Sequence, residues 1–464
     1  MKRTISLICI ACLLASLTGC LGAPATPSIQ PTQPSSQPTQ PSSKPTETTQ
    51  ATEATQPTQP TQPSQPAEVA FTVGDIYITA DHSLSGEYSD ASVRVEMEGY
   101  SLPQQVVTIK HRGNLSQTYA SKKSYNIKFS EKVSLLGMEE GKKWSLLADP
   151  FDKSLLRPIL AMEYAQALGI PYTSQVRLCR VWLNGKYQGV YTATEPVDVK
   201  TNRVEIDLDA GDFLFERNYN TIREEEGISY FTTAYGLRFE LNEPETPTPE
   251  QLEAIKTTVN TIEKAIRTLD HTQYARYIDI DSFVNFYILH EVCKDVDFGH
   301  FSTRYYVSDG VLFAGPPWDF DLSMGNVSET YGEKVYKRYH NQGDYGNGSG
   351  DSTQNLWNTD KDFYRWLCED PWFMEQVKLR WQEVRLMTEN LATENALGIS
   401  RIDFYLEKAG DILESNYTEA GWSVSTQGIN LAYDHPAKTY LGNVELLRQW
   451  LQKRIAWLDG ELGT

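Results

Sequence analysis

Asp319 and Asp321 sit two residues apart in Trp318-Asp-Phe-Asp-Leu322, after a Gly315-Pro-Pro317 break and ahead of Gly325. In an extended segment residues i and i+2 point the same way. Both carboxylates would then face one spot while Trp318, Phe320 and Leu322 anchor the backbone. Two carboxylates that close repel unless a cation lies between them. A hard divalent ion such as Mg2+ takes oxygen ligands of this kind and keeps waters and phosphates as its others. The plain alternative is a turn with two solvated acids, because so short a motif also arises by chance.

Other residues extend the pattern. Lys294-Asp-Val-Asp297 carries Asp295 and Asp297 and follows an apolar helical stretch, two short strands ahead of Asp319. An acid that orients an acceptor hydroxyl, a strand hairpin, then a metal-binding acid is the order used by protein kinases. The H-R-D-x-x-x-x-N and G-x-G-x-x-G signatures are absent, so the order alone does not identify the class. Cations able to hold phosphates occur in His111-Arg-Gly-Asn114 and in Ser121-Lys-Lys-Ser-Tyr-Asn-Ile-Lys128. Arg112 precedes a glycine that permits close backbone approach, and Lys123 opens a strand from which it can point into a cleft. An edge strand protected by lysines is the alternative. Glu163 lies on a helix face with Ile159, Leu160 and Ala167 and is placed to hold that lysine, or else is a surface acid. Glu195 follows the strand ending at Thr192, where a connection between two halves would read adenine.

The elements that must position these groups are legible in outline. Alternating runs at 75–79, 92–97, 105–110, 124–129 and 144–148 predict strands, and Pro158 to Leu168 predicts a helix stopped by Gly169. Asn184-Gly185 between 175–183 and 187–192 predicts a hairpin. Runs at 213–216, 228–232 and 237–241 extend the strands. Beyond Pro244-Glu-Thr-Pro-Thr-Pro249 the character turns helical, over 250–269, 281–292 with Asp281 as its cap, 362–390, 401–417 and 443–458. Short strands at 304–307 and 311–313 lead into the Asp319 turn, and 327–360 reads as a long loop.

The ends and the composition bound the setting. Lys2 and Arg3 precede an apolar run from Ile5 to Leu17, too short to span a membrane as a mature helix. It ends in Leu17-Thr-Gly-Cys20, which resembles the lipobox of bacterial lipoproteins. Residues 1–19 then read as a signal peptide, and lipid on Cys20 would anchor the protein to the outer face of a cell membrane. Residues 20–67 are a Pro, Thr, Gln and Ser tether that cannot bury a core, reaching on the order of 130 Å if extended. The folded part is 68–464. Of six cysteines, Cys179, Cys293 and Cys368 remain in it, an odd number without metal-ligand spacing, and they read as buried small hydrophobes. The net charge of −19 argues against nucleic acid as a partner.

Ordered motifs across residues 70 to 460 give a more specific reading. They are Arg112-Gly-Asn114 with Lys122-Lys-Ser-Tyr125, Trp144-Ser-Leu-Leu-Ala-Asp-Pro150, Leu183-Asn-Gly-Lys-Tyr-Gln-Gly-Val-Tyr191 with Glu195, and Pro317-Trp-Asp-Phe-Asp321 with Gly325. Together they resemble the CotH kinase family, the spore coat protein H-like atypical kinases. The resemblance implies an α+β, divergent two-lobed protein-kinase-like fold, with a strand-rich lobe over about 68–245 and a helical lobe over about 246–464. It implies ATP and Mg2+ as cofactors and Ser or Thr of a protein as acceptor. Asp297 would be the catalytic acid and Asp319 a metal ligand with Asp321 beside it. Asp295 stands where members often carry Asn. Two other readings compete. One is a catalytically inactive surface module for cell-wall, polysaccharide or host partners, to which an aromatic content of 11% is suited. The other is a glycosidase with paired carboxylates, for which no residue marks a general acid.

Overall fold

Side-chain alternation in the first seven strands sends one residue in two to a common interior. These strands are β1 (Gly74–Thr79), β2 (Ser89–Met97), β3 (Tyr100–Arg112), β4 (Ser124–Val133), β5 (Gly141–Leu147), β6 (Val176–Leu183) and β7 (Lys186–Thr194). Ile76 and Ile78, Val93 and Val95, Val107 and Ile109, Ile127 and Phe129, Trp144 and Leu146, Cys179 and Val181, and Tyr191 and Ala193 form one buried cluster. The sheet runs β1-β2-β3-β4-β5-β7-β6 and closes into a barrel because β1 pairs with β6 in parallel. Closure removes both free edges, so the lysines of β4 do not guard one. The Asn184-Gly185 turn joins β6 and β7, with φ of 50° and 77° at its two residues. Those are the positive values that a tight hairpin of this twist requires.

The structure is a computed structural model that describes residues 71–113, 120–218, 227–327, 352–425 and 437–463. The leader, the tether, Cys20, Asn114 and most of the loop expected over 327–360 lie outside these residues. Val69–Thr464 form one compact unit.

A second sheet has the order β12-β11-β8-β10-β9. Its strands are β8 (Phe213–Arg217), β9 (Ser229–Thr232), β10 (Arg238–Glu243), β11 (Arg304–Ser308) and β12 (Val311–Ala314). This sheet corrects the expected two-lobed kinase-like fold. β8 pairs with β11, so one sheet draws strands from both sides of Pro244, the expected boundary between lobes. The architecture is a closed seven-stranded barrel, a separate five-stranded sheet and, among the described residues, eight α-helices. The physical reason is that alternation marks a strand but not its partner. β8 and β10 look alike whether they extend the first sheet or begin another.

The helices are α1 (Arg157–Leu168), α2 (Pro249–Ile266), α3 (His271–Tyr274), α4 (Ile280–Cys293), α5 (Tyr364–Leu367), α6 (Pro371–Glu389), α7 (Arg401–Thr418) and α8 (Tyr440–Leu462). Their boundaries follow local chemistry. Gly169 ends α1 in the left-handed conformation, and Thr248 with Gln251 forms a capping box on α2. The cap of α4 is Asp279 rather than Asp281, its carboxylate accepting from Ser282 N at 2.7 Å. The single helix expected over 362–390 divides at Asp370, which caps α6 ahead of Pro371. One large apolar core joins α1, the second sheet and the C-terminal helices. The three free cysteines fit the small-hydrophobe reading, Cys179 and Cys293 buried and Cys368 partly so.

Candidate functional site

One end of the barrel forms one wall of a cleft. Leu147 and Asp149 reach it from the end of β5, Val176 from the start of β6, and Thr192 and Thr194 from β7. Pro158 and Met162 of α1 contribute, and Trp318, Asp319, Phe320 and Asp321 form the opposite side. Asp319 and Asp321 thus share one cleft, but not through an extended strand. Asp319 has φ of 72°, a strained value for a residue with a Cβ. Asp319 is exposed, Asp321 half-buried, and Trp318 and Phe320 are buried on either side.

Apolar residues interleaved with the acids pin three separate segments together. Phe151 follows Asp149 by two positions, Val296 lies between Asp295 and Asp297, and Leu322 follows Asp321. With Val327 they form one small buried cluster. Polar ties reinforce it. Asn326 Nδ2 donates to Asp321 O at 2.6 Å and to Phe151 O at 3.0 Å. Arg157 donates from Nε to Ser323 O at 3.1 Å and from an Nη to Met324 O at 3.3 Å. Its other Nη meets Asp152 Oδ1 at 2.6 Å, and both side chains are almost fully buried. Gly325, at φ of 76°, leaves room for Trp450, whose ring would lie 2.4 Å from an added Cβ.

The carboxylates crowd one another. Burial and then Asp319 raise the Asp297 carboxyl to about 7. Burial, followed by Asp319, Asp149 and Asp297, holds Asp321 well above the usual range. Asp295, 2% exposed, is raised by burial and then by Asp297, although its Oδ1 accepts from Asp297 N at 3.2 Å. Asp297 Oδ1 is buried without a hydrogen-bond partner among the described residues. Among those residues no three His, Cys, Asp or Glu side chains are close enough to make a preformed metal cage. The set still fits a cation of the Mg2+ type, which needs only one or two carboxylates and fills its remaining positions from water and phosphate.

Cations border the acids. Arg112, at the end of β3, lies over Trp318 with 5.2 Å from its guanidinium carbon to the ring centroid. Burial lowers its guanidinium, and the charge of Asp319 acts against that. Lys122 is the buried lysine of the Lys122-Lys123 pair, 5% exposed. Its Nζ donates to Ala148 O at 2.9 Å and to Val190 O, and it lies over the Tyr191 ring at the barrel end. Burial lowers this amine, and the nearby Asp149 carboxylate opposes the shift. Lys123 Nζ donates to Ala120 O at 2.6 Å.

Two expected placements change. Glu163 is held by Arg401 of α7 at 3.0 Å and by the Tyr405 hydroxyl, so it ties α1 to α7 instead of gripping a lysine. Glu195 faces Arg203 at 3.1 Å and is absent from the cleft lining; burial raises it to about 7 against the pull of Arg203. Asp152, Arg157 and Arg304 were not singled out by sequence, and Asp149 and Lys122 stood in its motifs without a role of their own. Of these Lys122 had a signal in its place beside Lys123 and Asp149 in its place in the Trp144–Pro150 motif, and the packing of the segment ahead of β4 decided which lysine turned inward.

Behind the acids lies His290 of α4, 2% exposed, its ring 4.0 Å from Phe298 and 5.4 Å from Phe320 between centroids. Neither ring nitrogen has a hydrogen-bond partner among the described residues. Burial lowers its pKa to about 3, so the ring is neutral, and the 3.9 Å approach of Asp295 is no ion pair in that state. The folded value lies below the unfolded one of about 6.5. The folded state therefore loses stability as pH falls through and below 6.5, by at most about 1.4 kcal/mol per pH unit. His290→Phe is expected to flatten this slope in melting curves recorded from neutral to acid pH. Equal slopes in both proteins would remove the assignment.

The fold and cleft define a class: a barrel end that meets a strained, acid-bearing turn, with carboxylates facing one cleft and the Arg112 guanidinium over the Trp318 ring that lines it. A family model described as CotH kinase protein matches residues 109–458, and the chain belongs to that family. No curated protein matches the chain.

Proposed function

We propose that the chain is a protein kinase of the CotH type, moving the γ-phosphoryl group of ATP to Ser or Thr hydroxyls of a protein. The observation that carries this is that Asp319 and Asp321 share one cleft, with the buried Asp297 close enough for their charges to act on one another and Arg112 over the cleft residue Trp318, in a chain of this family. Asp319 and Asp321 are the residues to hold Mg2+, with Asp295 close behind them. A cation bound there supplies neutralising charge to the phosphates. Arg112 binds phosphate oxygens through its planar fork, and Lys123 adds charge at the same barrel end. The Asp297 carboxylate orients the acceptor hydroxyl and takes its proton as the oxygen attacks phosphorus. Val176, Met162 and Leu147 give the cleft an apolar side suited to a base.

Incubation of residues 69–464 with γ-labelled ATP and Mg2+ tests this, and label is expected on the chain itself or on an added protein. Neither ATP binding nor labelling at saturating nucleotide would leave a non-catalytic surface module as the better reading. We further propose attachment to the outer face of a membrane through lipid on Cys20. Cys20→Ala is expected to shift the full chain from the detergent phase to the aqueous phase in phase partition, and an unchanged distribution would rule the anchor out.

A further inference from the structure

We propose that Arg304 joins Arg112 around Trp318 to form an anion seat beside Asp319, suited to the oxygens of a phosphate group. The two guanidinium groups come from different parts of the fold. Arg112 ends β3 of the barrel, and Arg304 begins β11 of the second sheet. Their guanidinium carbons lie 5.2 Å and 5.6 Å from the Trp318 ring centroid. Two cations drawn to one ring repel each other, and an anion held between them removes that repulsion.

The donors point to the same conclusion. The Arg112 side chain makes no hydrogen bond or ion pair among the described residues; it lies over Trp318, and the charges of Asp319, Asp149 and Asp321 attract it from a distance. Arg304 Nη2 forms an ion pair with Glu216 at 2.6 Å, while Nη1 is buried without a hydrogen-bond partner among the described residues. A desolvated guanidinium N–H without an acceptor is costly, and the planar fork matches phosphate oxygens two at a time. Trp318 is 8% exposed and lines the cleft next to Asp319, so the ring fixes both guanidinium groups close to the acids. The phosphate has two sources, the terminal groups of a nucleotide or a phosphorylated acceptor. The transfer reading supplies the reason for the seat, but the seat itself is tested without turnover.

The test is calorimetric titration of the chain with tripolyphosphate and with ADP, both without metal. Wild type is compared with Arg304→Lys and with the pair Arg304→Met, Glu216→Gln, which leaves no buried charge unpaired. Tripolyphosphate is expected to bind wild type and to bind the paired variant about tenfold more weakly, with Arg304→Lys weakened in the same direction. A parallel loss for ADP assigns the seat to the nucleotide. A loss confined to tripolyphosphate places the seat at the phosphate beyond the two that ADP carries. No binding to wild type, or equal affinities in all three proteins, overturns the proposal. Melting curves accompany each titration, and if the paired variant fails to fold, Arg304→Lys decides alone because it keeps the partner of Glu216. Tripolyphosphate binding without any labelling from ATP would preserve the seat and remove the kinase reading.

Discussion

Asp297→Asn is expected to lower phosphate transfer by about 10²–10⁴-fold, and Asp319→Asn by about 10³-fold, with little change in melting temperature for the latter because Asp319 is exposed. The two losses have different origins. Asp297 loses a proton acceptor, whereas Asp319 loses the charge that would face a cation. Their metal dependence separates them: Asp319→Asn should raise the Mg2+ concentration needed for half-maximal rate, and Asp297→Asn should leave it nearly unchanged. Asp319→Asn also removes the leading charge that raises Asp297 and Asp321 after burial, so both carboxyls should titrate lower in the variant. Initial rates with labelled ATP over a Mg2+ series provide the measurement. Rates of both variants within a factor of about two of wild type would be incompatible with transfer at this cleft, since such a change is under about 0.5 kcal/mol of barrier.

The second large effect is on stability. Arg157→Ala is expected to cost about 3–5 kcal/mol, because it leaves the Asp152 carboxylate buried without its cation. The same change frees the carbonyls of Ser323 and Met324, so the turn bearing Asp319 and Asp321 loses its tether to α1. Activity should therefore fall beyond what lower stability explains, even well below the melting temperature. The pair Asp152→Asn, Arg157→Met removes both charges, and it is expected to recover a good part of the stability but not the activity. Denaturant unfolding followed by fluorescence and far-ultraviolet dichroism reads the first quantity. A cost under about 1 kcal/mol, the range of an exposed pair, would contradict the buried-pair account.

Some of the site was readable because its logic is local. The Asp319 and Asp321 spacing, the Gly315-Pro-Pro317 break and the flanking Trp318, Phe320 and Leu322 named the turn without any tertiary information. Asp297 was reachable because it follows the end of α4 by a few residues. Arg112 stood out beside a glycine. Arg157 gave no such signal, and Asp149 stood in a motif without a role of its own. Asp149 looked like a strand end and Arg157 like the first turn of a helix, and each enters the site only because α1 packs where the turn after β12 returns. Glu163 looked like a lysine's partner by its helix face, but the packing of α7 brought Arg401 to it first.

The sequence by itself determined the periodic elements, the Asn184-Gly185 hairpin, the stop of α1 at Gly169 and, through its ordered motifs, the family. These depend on neighbours within a few positions or on strings of residues that stand as written. The tertiary structure alone decided that β1 closes onto β6, that β8 pairs with β11 across Pro244, and that Lys122 rather than Lys123 is buried at the barrel end. Each is a choice among partners that alternate alike and differ only in what else the chain must bury. Backbone pairing is blind to side-chain identity, and the energy that selects one register comes from the whole core at once.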